Sequence, residues 1–242
     1  MEFFNNIVDF FNNMINSLSF LETYYPLYIK GTIATIIICL FTVLIGTFIG
    51  IFVALMKLSK FKIIRAIASI YIEITRGTPV LVQVFIWFFG LSYIIELPNV
   101  YIADMELSRL IPGALALALN SGAYVAEIIR AGILAVDKGQ TEAALSLGMK
   151  NHMIMKFVIM PQAIKNILPA IGNEFIVLIK ESSILYVIGI QEIMAKTSTI
   201  QSSTFQPIAP LVVASVIYLI LTFSLSRFVG IFERRLNKDD RN

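Results

Sequence analysis

The sequence predicts an all-α polytopic membrane protein with five transmembrane helices and its N-terminus outside. Three observations predict it. Hydrophobic residues make up 57% of the 242 residues and charged residues only 14%, against about 45–50% and about 25% in soluble domains. Apolar runs recur along the chain at the length of a membrane span, which needs roughly 20 residues. Basic residues gather on one side of the resulting topology and so orient it. This composition excludes an ordinary soluble enzyme, a disordered chain and a disulfide scaffold. The single cysteine, Cys39, excludes an intrachain disulfide and reads as a small buried hydrophobe.

Residues 1–22 form the first element. Phe3, Phe4, Ile7, Val8, Phe11, Met14, Ile15 and Leu18 fall on one helical stripe, with Asn5, Asn6, Asp9, Asn12, Asn13 and Asn16 opposite. The pattern predicts an amphipathic helix, either lying in the outer interface or packed across the spans as an apolar belt. Glu2 and Asp9 stand where a signal peptide would carry basic residues. The first span, 31–56, has no charged residue, and Gly46 and Gly50 form a small-xxx-small pair suited to close helix contact. The second span, 79–95, is short and is entered through a partly apolar stretch, 63–74. The third is 110–129, the fourth 168–190 and the fifth 210–232.

Five spans put Lys57, Lys60, Lys62 and Arg65 on the same side as Arg130, Lys138, Lys150, Lys156 and Lys165. Arg227, Arg234, Arg235, Lys238 and Arg241 join them, giving 14 of the 19 basic residues. That side is cytoplasmic. No long repeat or linker divides the chain, so residues 1–242 read as one membrane domain.

No G-x-x-x-x-G-K-[ST] loop is present, so the sequence offers no phosphate cradle. The lone histidine, His152, is far from Cys39, and no metal site or nucleophilic triad can be assembled around either. The basic residues are scattered along one membrane face, which suits orientation and anionic lipid headgroups, not nucleic acid.

The loop 137–161 is the longest on the basic side. Asp137-x-x-Gln140 has the form of a helix start. Helix formers follow, including Glu142, Ala143, Ala144 and Leu145, and Gly148 suits the left-handed turn that ends a helix. Asn151 is placed to cap a second short helix, which Pro161 would terminate. The product is helix–glycine–helix with Ala143, Ala144 and Leu147 as a small apolar patch. It reads either as a plug for a groove on a partner protein or as a cover over the ends of the spans.

Polar groups inside the spans need a reason, since an ionisable side chain at mid-membrane costs at least about 2.5–3.5 kcal/mol. Lys180 and Glu181, followed by Ser182 and Ser183, lie near the middle of the fourth span. They mark either a broken helix whose backbone meets a ligand or an internal Lys–Glu pair that fixes packing. In the third span Asn120, Tyr124 and Glu127 share one face with Ser121 beside them. That face serves either a ligand or helix–helix hydrogen bonding. Arg76 is one turn from Glu73 and suits an ion pair with it. Gly77 and Pro79 break and restart the helix with Thr78 as N-cap. The break is either a hinge or an electropositive helix start for a carboxylate, with Gln83 one turn on.

Glu142-Ala143-Ala144, three residues, Gly148, nine residues, then Val158-Ile159-Met160-Pro161 resembles the cytoplasmic motif E-A-A-x3-G-x9-I-x-L-P of bacterial ABC importer permeases. Val158 and Met160 replace the usual Ile and Leu, which conserves volume. Arg76-Gly77-Thr78-Pro79, Ala123-Tyr124-Val125-Ala126-Glu127, Leu168-Pro169-Ala170-Ile171-Gly172-Asn173-Glu174 and Lys180-Glu181-Ser182-Ser183 resemble the polar amino acid branch of that family. The resemblance implies a bacterial cytoplasmic membrane protein that transports amino acids but is not itself an enzyme. It implies a second permease copy, two ABC ATPase subunits that bind ATP and magnesium, and an extracytoplasmic binding protein. This chain itself would hold no cofactor. Gln140, Glu142, Ala143, Ala144 and Gly148 would meet the ATPases. Gln83, Asn120, Ser121, Tyr124, Lys180, Glu181, Ser182 and Ser183 would meet the substrate. Among buried ionisable residues Glu127, Glu174 and Glu181 outnumber Arg76 and Lys180, which points to a basic amino acid. The alternative is a transporter or channel driven by an ion gradient, with Lys180 and Glu181 in ion coupling.

Overall fold

The computed structural model describes Phe4 and residues 17–102 and 104–236. Most of the amphipathic stripe of 1–22 lies outside the described residues. A 3-10 turn, Ser17–Phe20, leads into α1, Leu21–Lys57. Its 37 residues span about 55 Å, so it outreaches the apolar run 31–56 at its N-terminal end. Pro26 stands in its second turn, where the missing amide costs one hydrogen bond.

Two helices follow at a sharp angle. Helix α2, Lys62–Gly77, and α3, Val80–Ile94, bend by 108°. Thr78 is not the N-cap; Pro79 is. The Thr78 hydroxyl donates to the Ile74 carbonyl at 2.9 Å and accepts from Gln83 Nε2 at 2.9 Å. It is therefore occupied by the preceding helix and cannot satisfy the amides of α3. A two-residue hairpin, β1 Tyr101–Ile102 and β2 Met105–Glu106, pairs antiparallel and leads into α4, Leu107–Leu134.

The loop 137–161 holds α5, Lys138–Ser146, and α6, Asn151–Ile154. Asn151 does not cap α6: Lys150 occupies that position, with no side-chain cap bond. Nor does Pro161 terminate a helix. A π-helical turn, Met155–Ile159, runs directly into α7, Met160–Glu181, and Pro161 sits at its start. The wide turn bonds the Met160 amide to the Met155 carbonyl, and a first-turn proline has no amide to lose. The fourth apolar stretch therefore belongs to a helix that begins in the loop. It changes to a 3-10 helix, Ser182–Ile188, immediately after Glu181. Helix α8, Ile193–Thr204, has no counterpart in the sequence reading, and α9, Ala209–Leu236, completes the chain.

Helices α1 and α4 form the centre. Gly31, Ala34, Ile38, Cys39, Val43, Gly46 and Gly50 line the buried face of α1. Phe41, Leu44, Phe48, Phe52 and Leu55 lie exposed on the other side, as a face meeting lipid requires. Glycine sets the approach: a Cβ on Gly50 would lie 2.6 Å from Val125, and one on Gly122 would lie 2.7 Å from Ile49. Around this seam Val84, Leu117, Leu178, Leu185 and Ile190 make the main core. A smaller cluster at the α1 N-terminal end includes Phe20, Tyr28, Ile193 and Ile200.

Among the described residues, three helices have the length and apolarity to cross a membrane, or four if the bent α2–α3 pair counts as one span. Helix α7 carries Lys165, Asn166, Asn173, Glu174, Lys180 and Glu181, which lowers its apolar character. The chain is an all-α membrane protein.

Candidate functional site

Gln83 joins three elements. Its Nε2 donates to the Thr75 carbonyl at 2.7 Å and the Thr78 carbonyl at 3.1 Å, tying α3 to the end of α2. Its Oε1 accepts from Asn120 Nδ2 of α4 at 3.0 Å. The α2–α3 break is thereby fastened to the third span. Asn120 is 4% exposed, so its amide is committed to Gln83.

Tyr124 lies one turn beyond Asn120. Its ring is covered by the Arg76 guanidinium, 5.0 Å from the ring centroid. The expected Arg76–Glu73 ion pair is absent among the described residues. The aromatic face takes the cation instead. Glu127, next on the same face, pairs with Arg130 at 2.8 Å. Its charge is thus balanced within α4. Ser121 points elsewhere: it is fully buried, and a Cβ on Gly46 would sit 3.1 Å from its Oγ. Ser121 belongs to the α1–α4 seam.

The residues at the end of α7 form a second group. Lys180 and Glu181 make no ion pair with each other. Lys180 is exposed, whereas Ser182 is buried. Ser182 Oγ donates to the Ile179 carbonyl at 2.8 Å and Ser183 Oγ to the Lys180 carbonyl at 2.6 Å. Both hydroxyls thus serve the change of helix type directly after Glu181. Asn166, Asn173 and Lys180, seven residues apart, are all exposed on α7. Heptad spacing puts them on one face of α7 as a polar strip. The sequence reading singled out Lys180 but missed Asn166 and Asn173, although their spacing carried the signal.

The loop motif is well formed. The Asp137 carboxylate accepts from the Gly139 amide at 2.7 Å. Gly148 has φ +78°. Its amide bonds to the Leu145 carbonyl at 2.9 Å, and the Met149 amide bonds to the Ala144 carbonyl at 3.1 Å. These two bonds are the Schellman closure of a helix end. Ala144 is buried and anchors α5, while Gln140, Glu142 and Ala143 are exposed. Leu145 is 49% and Leu147 83% exposed.

Comparison with known proteins gives this geometry its context. The family described as "Binding-protein-dependent transport system inner membrane component" matches residues 46–238. The chain is 40% identical over 223 residues to a putative glutamine transport system permease protein GlnP of Rickettsia prowazekii (strain Madrid E), covering 90% of this chain and 98% of the relative. It is 39% identical over 215 residues to the arginine transport system permease protein ArtQ of Bacillus subtilis (strain 168), covering 89% and 94%. A crystal structure of an amino acid ABC transporter with histidines aligns with TM-score 0.82 and 47% identity, over 89% of this chain and 96% of that one. An inward-facing MetNI methionine ABC transporter shares the fold at TM-score 0.71 and 16% identity, covering 90% of this chain and 99% of the other. The chain belongs to the family of binding-protein-dependent transport system inner membrane components, the permeases of ABC transporters.

Proposed function

We propose that this chain is the membrane-spanning subunit of an ATP-driven polar amino acid importer in a bacterial cytoplasmic membrane. The observation that carries the reading is α5 with its Gly148 closure, an anchored short helix presenting Glu142, Ala143, Leu145 and Leu147 to a partner. An exposed Leu147 at the tip of a basic loop suits a groove in a soluble subunit. Two ATPase subunits receive this loop from two permease copies. Their closure on ATP and magnesium rocks the spans and alternates access, which requires the nucleotide-bound partner to prefer one permease state. An extracytoplasmic binding protein delivers the solute.

The substrate passes the face made by Gln83, Asn120 and Tyr124, and the strip ending at Lys180, with Glu181 and the carbonyls of the Ser182–Ser183 junction beside it. Ser121 supports this face from the α1–α4 seam. The Gln83–Asn120 amide pair can exchange its internal bond for hydrogen bonds to a polar solute. A basic amino acid is favoured by Glu174 and Glu181, neither of which has an ion-pair partner among the described residues.

The test is uptake into vesicles holding the permease with its ATPases, comparing arginine, glutamine and glutamate. Uptake should require ATP, and Gln83→Ala or Asn120→Ala should reduce it about tenfold, the value of a hydrogen bond or two. A clear preference for glutamate overturns the basic assignment. Uphill uptake by the permease alone, driven by an ion gradient, overturns the ATP-driven reading.

A further inference from the structure

Among the described residues Lys196 is the only buried lysine or arginine, at 9% exposure, and its ammonium has no hydrogen-bond or ion-pair partner. Its stem is held over Gly31, where a Cβ would come 3.1 Å from Lys196 Cγ. Glu192, one turn earlier, does not neutralise it. The Glu192 carboxylate accepts from the Ala195 amide at 2.8 Å and from the Tyr218 hydroxyl at 2.9 Å.

Lys196 lines a cavity of about 370 Å³ together with Tyr101, Asp104, Glu106, Arg109 and Gln191. Small-molecule sites occupy roughly 300–1,000 Å³. Both acids of the cavity already have cations. Asp104 pairs with Lys30 at 3.3 Å, and Glu106 pairs with Arg109 at 2.7 Å. Lys30 lies outside the lining, so of the two cations that line the cavity Arg109 is paired and Lys196 is not. Its ammonium opens into the cavity without a carboxylate of its own, and an entering carboxylate would supply that partner as a charge-assisted hydrogen bond. The cavity lies at the Gly31 end of α1, about 39 Å along the helix from Lys57 and the basic loops.

We propose that this cavity is a second amino acid site at the extracytoplasmic mouth. It takes a zwitterionic α-amino acid with its carboxylate on Lys196 and its ammonium toward Asp104 and Glu106. The Gln191 amide supplies neutral hydrogen bonds at the rim, where Tyr101 is an exposed bystander. The site is distinct from the Gln83–Asn120–Tyr124 face, and it relies on the transport reading only for the class of solute.

The native cysteine, Cys39, is fully buried, so a cysteine placed at the exposed Tyr101 gives a local reporter. The full chain carrying Tyr101→Cys, in nanodiscs without ATPases, is treated with a membrane-impermeant maleimide. L-Arginine and L-glutamine should each slow alkylation roughly tenfold, in keeping with a charge-assisted hydrogen bond. Agmatine, which is arginine without its carboxylate, should not. Adding Lys196→Gln should abolish the protection, and Lys196→Arg should retain it. The agmatine comparison needs no second substitution, so it stands even if Lys196→Gln misfolds. Equal protection by agmatine, or none by either amino acid, overturns the proposal. So does protection by the extracytoplasmic binding protein alone, which would assign the carboxylate to a protein side chain. No uptake is measured, so failure here leaves the transport reading intact, and failure of ATP-driven uptake leaves this result standing.

Discussion

Gly148 shows how much one residue can specify. Its φ of +78° lies in the left-handed region, yet no atom lies within 4 Å of where a Cβ would stand. The position demands glycine for its backbone and has space to spare. A left-handed conformation costs an L-residue roughly 1–2 kcal/mol, and a β-branched one more. Gly148→Val should therefore open the Schellman closure, fray α5 and reduce recovery of ATPase subunits with the permease. Gly148→Asn, which tolerates this conformation, should restore most of it. Subunit counting on the purified complex checks both, and a valine variant that assembles normally would refute the coupling role. Gly148 was legible because turn chemistry is local. Thr78 and Pro161 were misread because their roles are not: Gln83, on the next helix, occupies the Thr78 hydroxyl, and a π-helical turn makes Pro161 a helix start. Arg76 was misread for a related reason, since Tyr124 belongs to another helix.

At the scale of elements, the α1–α4 seam sets the separation of every other part. Gly46 and Gly50 announced a close contact by their spacing, but the partner, Gly122, could not be identified without the fold. A Cβ on Gly50 would meet Val125 at 2.6 Å. The backbones must then part, since overpacking of this kind costs typically about 1–3 kcal/mol. Gly50→Val should lower the melting temperature of the purified permease in detergent, and adding Val125→Ala should recover part of the loss. An undiminished melting temperature for Gly50→Val would show that the seam yields freely. Helix α8 was illegible for a different reason. Its sequence is rich in Ser and Thr and lacks an apolar stripe. Its start is fixed by tertiary contacts, with Glu192 capping the Ala195 amide and Thr35 of α1 accepting from the Ile193 amide at 3.3 Å.

At the scale of the whole molecule, the apolar spans on either side of α7 were legible from hydropathy, but α7 is the one whose surface decides the topology. Asn166, Asn173 and Lys180 lie exposed along it. Lipid cannot solvate such a strip, so an α7 placed in the bilayer would border water or a second copy of the chain there. If α7 is the fourth of five spans, the strip runs along the translocation path. Phe48 and Phe52 on the outer face of α1 then meet lipid. Cys39 is fully buried, so single cysteines report against a quiet background. In the reconstituted transporter, Asn173→Cys and Lys180→Cys should react with a small hydrophilic thiol reagent at least about tenfold faster than Phe48→Cys or Phe52→Cys. ATP should change the rate at Asn173 and Lys180 and leave the α1 positions unaffected, because only a path that alternates its access gains and loses water. Equal, slow reaction at all four positions would place the strip in a sealed contact between copies and move the path elsewhere.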